Sequence, residues 1–288
     1  RVLVKHDNHL PTNAFKARNA MSVISALAPD ERKRGVIAAT RGNHGAGLAW
    51  AGALVGVPVV ICVPVGNNPE KNAAMRGFGA ELIEEGRDYD EAAAIAARIA
   101  QERGLVVAHS TNDARVIAGA ATITAEIIEQ AAAMHERIDA MVVAVGGGSQ
   151  AVGALVATRA RATHIDVYGV QASGAAAIHD AWHAGEPRHY DRAQTFADGL
   201  ATRSTYAMTF GALREGLRGF VKVDDAALAE SVRILIRTTH NLVEGAGAAG
   251  LAGLRALRDQ LAGKTVAVIL SGANIDENSL RRVLNREI

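Results

Sequence analysis

The sequence predicts an α/β protein built from open parallel sheets flanked by helices. Three observations carry this. Short apolar runs rich in Val and Ile recur along the chain, helical patterns lie between them, and the turns joining run to helix are polar and glycine-bearing. Parallel strands need a long crossover, and a helix is the usual one.

The runs follow in order. VLVKH at 2–6 opens the chain. GVIAAT (35–40), VPVVICVP (57–64), AELIEEG (80–86) and GLVVAHS (104–110) come at close spacing, then DAMVVAVG (139–146), DVYGVQ (166–171) and TVAVIL (265–270). Between them, AGLAWAGALVG (46–56) reads as a helix. So does DYDEAAAIAARIAQERG, where Asp88 and Glu91 form a capping-box-like start and Gly104 a stop. The four close runs of 35–112 predict a small domain, with 1–34 and 113–288 forming a large one. No Pro-, Gly- or Ser-rich linker separates them, so a two-lobed unit is expected. No repeat or low-complexity tract is present.

The 288 residues carry a net charge of +1, with 49% hydrophobic and 21% charged residues. This near-neutral balance gives no reason to expect nucleic-acid or membrane-surface binding. No uninterrupted run of about 18 apolar residues occurs, so no membrane span is expected. The single cysteine, Cys62, cannot form an internal disulfide, and a reducing, cytoplasmic setting fits. The chain opens on RVLVKHD, without an initiator methionine or a visible signal peptide, and a preceding N-terminal segment is expected.

Four stretches offer chemistry. In HLPTNAFKARNA, Lys16 follows Phe15, and no acidic residue occurs from Leu10 to Pro29. Such a lysine is either a snorkelling surface residue or a chemically used amine. TRGNHGAG (40–47) joins a strand to a helix, where free backbone N–H groups can meet an anion. Read alone it is also an ordinary tight turn. In VGGGSQ (145–150) the glycines remove every side chain between backbone and ligand, as a phosphate cradle requires. Neither the Walker A nor the GxGxxG spacing is present. SGAN (271–274) puts a hydroxyl at the end of a strand, a usual ligand position in open α/β sheets and equally a helix cap.

In this order the stretches resemble the fold-type II (tryptophan synthase β-like) pyridoxal-phosphate enzymes, and within them the threonine/serine dehydratases and serine racemases. The FKxRG of that group matches Phe15, Lys16 and Arg18, with Asn19 in place of the glycine. TxADG matches Thr195, Ala197, Asp198 and Gly199, and a late E-x-[AS]-G matches Glu244, Ala246 and Gly247. The resemblance runs from about residue 2 to the end. By this resemblance the chain is expected to start some tens of residues earlier, and the downstream regulatory domain of biosynthetic threonine deaminases is expected to be absent.

The resemblance implies pyridoxal 5'-phosphate as cofactor, bound as a Schiff base by Lys16, which is also the catalytic base. Phe15 packs near the ring and Asn43 bonds its 3-hydroxyl. Gly146, Gly147, Gly148 and Ser149 hold the phosphate, Ser271 faces the pyridine nitrogen, and Glu244 also lies at the cofactor. Thr40, Arg41, Gly42, Asn43 and His44 bind the substrate carboxylate. The implied reaction is β-elimination from a β-hydroxy amino acid such as threonine or serine, giving a 2-oxo acid and ammonia. Alternatives are a 3-hydroxyaspartate dehydratase, an amino-acid racemase, a β-replacement enzyme, or a catalytically silent cofactor-binding protein.

Three departures matter. Racemases carry a serine acid/base where Arg41 stands, and a guanidinium is too basic for that role. Ser149 occupies the place of a fourth glycine. Gln194 precedes Thr195 where some metal-binding relatives have glutamate, so no metal is assigned. His6, His9 and His109 read as structural. A homodimer or homotetramer is expected.

Overall fold

The computed structural model describes residues 1–288. They form two compact units, residues 1–9 with 120–288 and residues 10–119.

Strand β1 (Val2–His6) opens the chain. The smaller unit follows as α1 (Lys16–Ser25), α2 (Pro29–Arg34), β2 (Val36–Ala39), α3 (Asn43–Val55), β3 (Val59–Val63), α4 (Pro69–Gly77), β4 (Glu81–Glu84), α5 (Tyr89–Arg103) and β5 (Val106–Val107). Helix α6 (Ala114–Ala133) runs across the boundary at residue 119. The larger unit continues with β6 (Ala140–Ala144), α7 (Ser149–Arg161), β7 (Asp166–Ala172), α8 (Ala177–Ala184), α9 (Ala207–Gly216), β8 (Gly219–Val223), α10 (Asp225–Thr239), α11 (Ala249–Ala256), β9 (Val266–Leu270) and α12 (Glu277–Leu284).

Both sheets are parallel, as the alternation of runs and helices predicts. The larger has the order β1-β9-β6-β7-β8 and the smaller β4-β3-β2-β5. Strands covered on both faces have no polar side to keep. Accordingly every residue of β3 (VVICV) and β9 (VAVIL) is buried. In the smaller unit Ala38, Ile61 and Val63 pack with α1 and α3 on one face, while Ile37, Val60 and Cys62 meet α5 on the other. Cys62 is a free thiol, and burial pushes its pKa up to about 11.

Short-range signals behave as read. The Asp88 carboxylate accepts from the Asp90 and Glu91 amides at 3.0 Å each, and Gly104 ends α5 with a left-handed φ of 66°. The Glu91 carboxylate reaches one residue further back than a strict capping box, to the Arg87 N–H at 2.7 Å. The lobe boundary differs from the expected 35–112. Residues 10–34 and 113–119 belong with the smaller sheet. The reason is α1, whose Lys16 carbonyl lies 2.8 Å from where a Cβ on Gly47 of α3 would stand.

Helix α6 reaches the length and hydropathy of a membrane span, although the sequence has no unbroken apolar run of that size. Its apolar stripe serves the core: Val116, Ala120, Ile123 and Ile127 are at most 5% exposed.

Candidate active site

In the smaller unit, Lys16 is the first residue of α1, and its Nζ lies 5.0 Å from the centroid of the Phe15 ring. The amine donates to the Ser110 carbonyl at 2.8 Å. Burial lowers its pKa from 10.5 to about 7. Half of such amines are uncharged at neutral pH, which is what a nucleophile or base needs.

The segment 40–44 lies between β2 and α3. Thr40 is 6% exposed and its Oγ1 accepts from the Gly42 N–H at 3.1 Å, which folds the loop. Helix α4 braces it from outside. Asn67 donates to the Arg41 carbonyl at 3.3 Å and to Asn72 Oδ1 at 2.6 Å, and the Lys71 stem lies 2.9 Å from where a Cβ on Gly42 would stand. The Arg41 side chain is exposed and makes no hydrogen bond or ion pair. Asn43 opens α3, whose 13 residues present their first-turn amides at this loop.

His44 is 3% exposed, and its Nε2 lies 2.9 Å from the Ala108 carbonyl. A carbonyl only accepts, so Nε2 carries the proton. Burial, then the nearby Lys16 charge, lower the His44 pKa from 6.5 to about 3. The sign of the linkage follows. The unfolded chain protonates this imidazole below pH 6.5 and the folded chain does not, so folded stability is lost as pH falls from 6.5 towards 3. At pH 4 this amounts to about 3 kcal/mol. His44→Gln is therefore expected to flatten the fall in urea stability between pH 7 and pH 4 by about that much; an equally steep fall would contradict a neutral, buried imidazole.

His109 has a structural task, as the sequence suggests. Its Nδ1 accepts from the Thr111 and Asn112 amides at 3.0 and 2.8 Å. His9 pairs with Asn241. Asn19, where the FKxRG pattern has glycine, is fully buried with both ends of its amide unpartnered. The close approach moves to Gly119, where a Cβ would stand 2.6 Å from the Asn19 Cα.

In the larger unit the turn 146–148 follows β6 and leads into α7. Gly148 is its N-cap with φ 104°, a left-handed conformation that favours glycine. A Cβ on Gly146 would stand 2.2 Å from the Gly199 carbonyl oxygen. One on Gly199 would stand 2.8 Å from the Ala246 Cβ, and the Glu244 N–H donates to the Gly272 carbonyl at 3.0 Å. The glycine turn, the TxADG segment, the Glu244 segment and the end of β9 thus form one connected patch. Ser149 and Ser271 are each 4% exposed.

Sequence reading missed the supports of this patch. Thr209, fully buried on α9, donates to the Gly147 carbonyl at 2.9 Å. Asp225 accepts from Thr195 Oγ1 and the Phe196 N–H at 2.5 and 3.1 Å. Ser110 and Ala108, the acceptors for Lys16 and His44, carried no signal either, because they act through their backbones. No group of three or more His, Cys, Asp or Glu side chains gathers to hold a metal ion.

Each unit by itself carries a group that suits one end of a phosphate-bearing aldehyde. Within the smaller, Lys16 is a buried, half-neutral amine, which an aldehyde takes. Within the larger, a side-chain-free turn starts a 13-residue helix, which a phosphate takes, and beside it Gln150, 6% exposed, has an amide N–H without a partner.

Comparisons agree. The chain is 35% identical over 285 residues to the L-threonine ammonia-lyase of Thermotoga maritima, covering 99% of this chain and 70% of that one. It is 33% identical to an L-threo-3-hydroxyaspartate ammonia-lyase of Pseudomonas sp., covering 96% of this chain and 85% of that one. The processed form of threonine deaminase isoform 2 from Solanum lycopersicum superposes with a TM-score of 0.93 at 29% identity, covering 99% and 78% of the two chains. The chain spans only 55–57% of the biosynthetic L-threonine dehydratases that it matches. The family model described as pyridoxal-phosphate dependent enzyme matches residues 1–272, and with Lys16 and the glycine turn in place the chain belongs to that family.

Proposed function

We propose that this protein eliminates water from a β-hydroxy amino acid, threonine or serine, and releases a 2-oxo acid and ammonia. The observation that carries the reading is Lys16: an amine near half-neutral at pH 7, anchored on Ser110 beside a loop that opens a helix. Pyridoxal phosphate, when bound, supplies an electron sink for charge developing at the substrate Cα. The protein's residues do the rest. Lys16 holds the cofactor aldehyde and then takes the Cα proton. Phe15 packs near the cofactor ring, Asn43 bonds its hydroxyl, and Glu244 stands nearby. Gly146, Gly147, Gly148 and Ser149 give backbone amides and a hydroxyl to the phosphate. Thr40 to His44 orient the substrate carboxylate. Ser271 gives the ring nitrogen an uncharged partner, which keeps the sink shallow and favours rapid loss of the β-substituent.

The atoms balance. Cα–H and Cβ–O break, water leaves, and water then returns to release ammonia, so the net products are a 2-oxo acid and NH3. Turnover of a panel of β-hydroxy amino acids, followed as 2-oxo acid release, tests the reading. Cofactor absorbance without oxo acid from any of them would favour a silent binding protein. Racemisation is disfavoured because Arg41 cannot exchange a proton at neutral pH. Cytoplasmic residence and a homo-oligomeric state belong to the same proposal.

One observation favours a second reading, a 3-hydroxyaspartate substrate. Arg41 offers an unpaired guanidinium on the carboxylate loop, and the Pseudomonas relative named for that substrate is matched over most of its length. A charge-assisted pair with the second carboxylate is worth about 1.5–3 kcal/mol, roughly 10- to 150-fold. Arg41→Ala is expected to lower the ratio of kcat/KM for 3-hydroxyaspartate to that for threonine by this factor. An unchanged ratio removes Arg41 as a selector and leaves the plain hydroxy amino acid reading.

A further inference from the structure

A peptide unit carries its C=O and its N–H on opposite edges. In the trans form the two point in nearly opposite directions, so holding one aims the other. No peptide bond of this chain is cis. In the glycine turn of the larger unit, the Gly147 carbonyl accepts from the Thr209 hydroxyl at 2.9 Å. The N–H across that peptide belongs to Gly148, and it is therefore aimed away from α9. No backbone carbonyl takes it.

A hydroxyl has one proton to give. The Tyr206 carbonyl stands 3.4 Å from Thr209 Oγ1, and the shorter contact, to Gly147, takes the proton. The donor is held in place. Thr209 is fully buried, and one turn further along α9 the Leu213 carbonyl accepts from the Trp182 indole N–H at 3.0 Å. A Cβ on Gly148 would stand 3.0 Å from Leu213 Cδ1 and 3.2 Å from Thr209 Oγ1, so the turn rests on these two side chains. Without Cβ atoms at 147 and 148, the backbone itself offers little resistance to turning this peptide over. Turned over, it would present an oxygen where it now presents an N–H. To an anion that is the difference between a donor and a repelling dipole.

We infer that Thr209 is a positioning residue for the cofactor phosphate: by holding the Gly147 carbonyl on the α9 side, it fixes the polarity of the turn and keeps the Gly148 N–H as a donor to the anion. This rests on the reading of residues 146–149 as the phosphate cradle. It adds to that cradle a side chain 62 positions along the chain that acts through the backbone.

Three variants test the hydroxyl. Thr209→Val keeps the branched shape and loses the O–H. Thr209→Ser keeps the O–H and loses the methyl. Thr209→Cys keeps a weaker donor of similar size. The cofactor-free full chain is titrated with pyridoxal 5'-phosphate and, separately, with pyridoxal, and Kd is read by absorbance. Pyridoxal has the same ring and aldehyde without the phosphate, so the ratio of the two affinities isolates the cradle. In Thr209→Val this ratio is expected to fall about 10- to 100-fold, as for one lost charge-assisted bond, with the affinity for pyridoxal unchanged. Thr209→Ser is expected to keep most of the wild-type ratio. Thr209→Cys is expected to fall between them, and it carries the test if the Val protein does not fold. A purely structural role would lower both affinities together and leave the ratio fixed, which overturns the inference. A Ser variant as poor as the Val variant also overturns it, because the hydroxyl is then not the acting group. If the wild type prefers the phosphorylated form and the ratio ignores Thr209, the inference falls and the cradle stands. If the wild type binds both forms equally, the cradle reading falls and takes the inference with it.

Discussion

Lys16→Ala is expected to lose at least about 10⁴-fold in kcat/KM for oxo acid release, together with the visible absorbance of cofactor attached to the protein. Two contributions are removed at once. A positioned base is worth about 10²–10⁴-fold. Covalent attachment, which pre-pays the placement of the cofactor, is lost in addition. An ordinary lysine at pH 7 is neutral in about one molecule in 2,500, given a pKa near 10.4. Burial brings Lys16 to about 7, so the amine is ready without any neighbouring base. The check is borohydride reduction followed by peptide mapping. A cofactor adduct on Lys16 in the wild type and none in the variant is the expected result. An adduct on another lysine, or elimination that survives in Lys16→Ala, would remove this residue from the chemistry.

Burial of that amine was half legible in the sequence. The stretch from Leu10 to Pro29 sets Lys16 among no acidic sequence neighbours, and the flanking Phe15 and Ala17 mark apolar surroundings. Its anchor on Ser110 was not legible, since a backbone carbonyl has no residue signature and the two positions meet only through packing. The same division holds for the fold. The Asp88 cap, the Gly104 stop and eight strands are set by neighbours within a few residues, and pattern finds them. The ninth strand, β8 (GFVKV), escaped because it is an edge strand with one exposed lysine and follows directly on α9. The lobe boundary escaped because it depends on α1 lying against α3, where small residues such as Ala20 and Gly47 allow an approach that no local rule announces. Thr209 stayed hidden for a similar reason, a threonine in an ordinary helix whose hydroxyl holds the Gly147 carbonyl from far along the chain.

Gly146→Ala is expected to weaken cofactor binding about 10- to 100-fold and to lower stability by about 1–3 kcal/mol. The added methyl would stand 2.2 Å from the Gly199 carbonyl oxygen and 3.3 Å from its carbon, so something has to move. The Gly199 side resists. Leu200 is 1% exposed, and its N–H donates to the Ala197 carbonyl at 2.8 Å. Behind Gly199 stands Ala246, and behind Gly247 the Gly272 carbonyl, each without room for an added atom. The turn itself therefore yields, and with it the amides proposed to hold the phosphate. Losing one or two charge-assisted bonds of about 1.5–3 kcal/mol gives the stated loss of affinity. Gly211→Ala is the control. It lies in α9 (Ala207–Gly216), its added methyl meets nothing within 4 Å, and Gly to Ala in a helix interior stabilises by about 0.5–1 kcal/mol. Thermal unfolding with and without cofactor separates the two terms. Gly146→Ala should lose both the cofactor-dependent rise in Tm and part of the apo Tm, whereas Gly211→Ala should lose neither. A Gly146→Ala protein that binds cofactor as tightly as the wild type would mean that this turn is not the phosphate cradle.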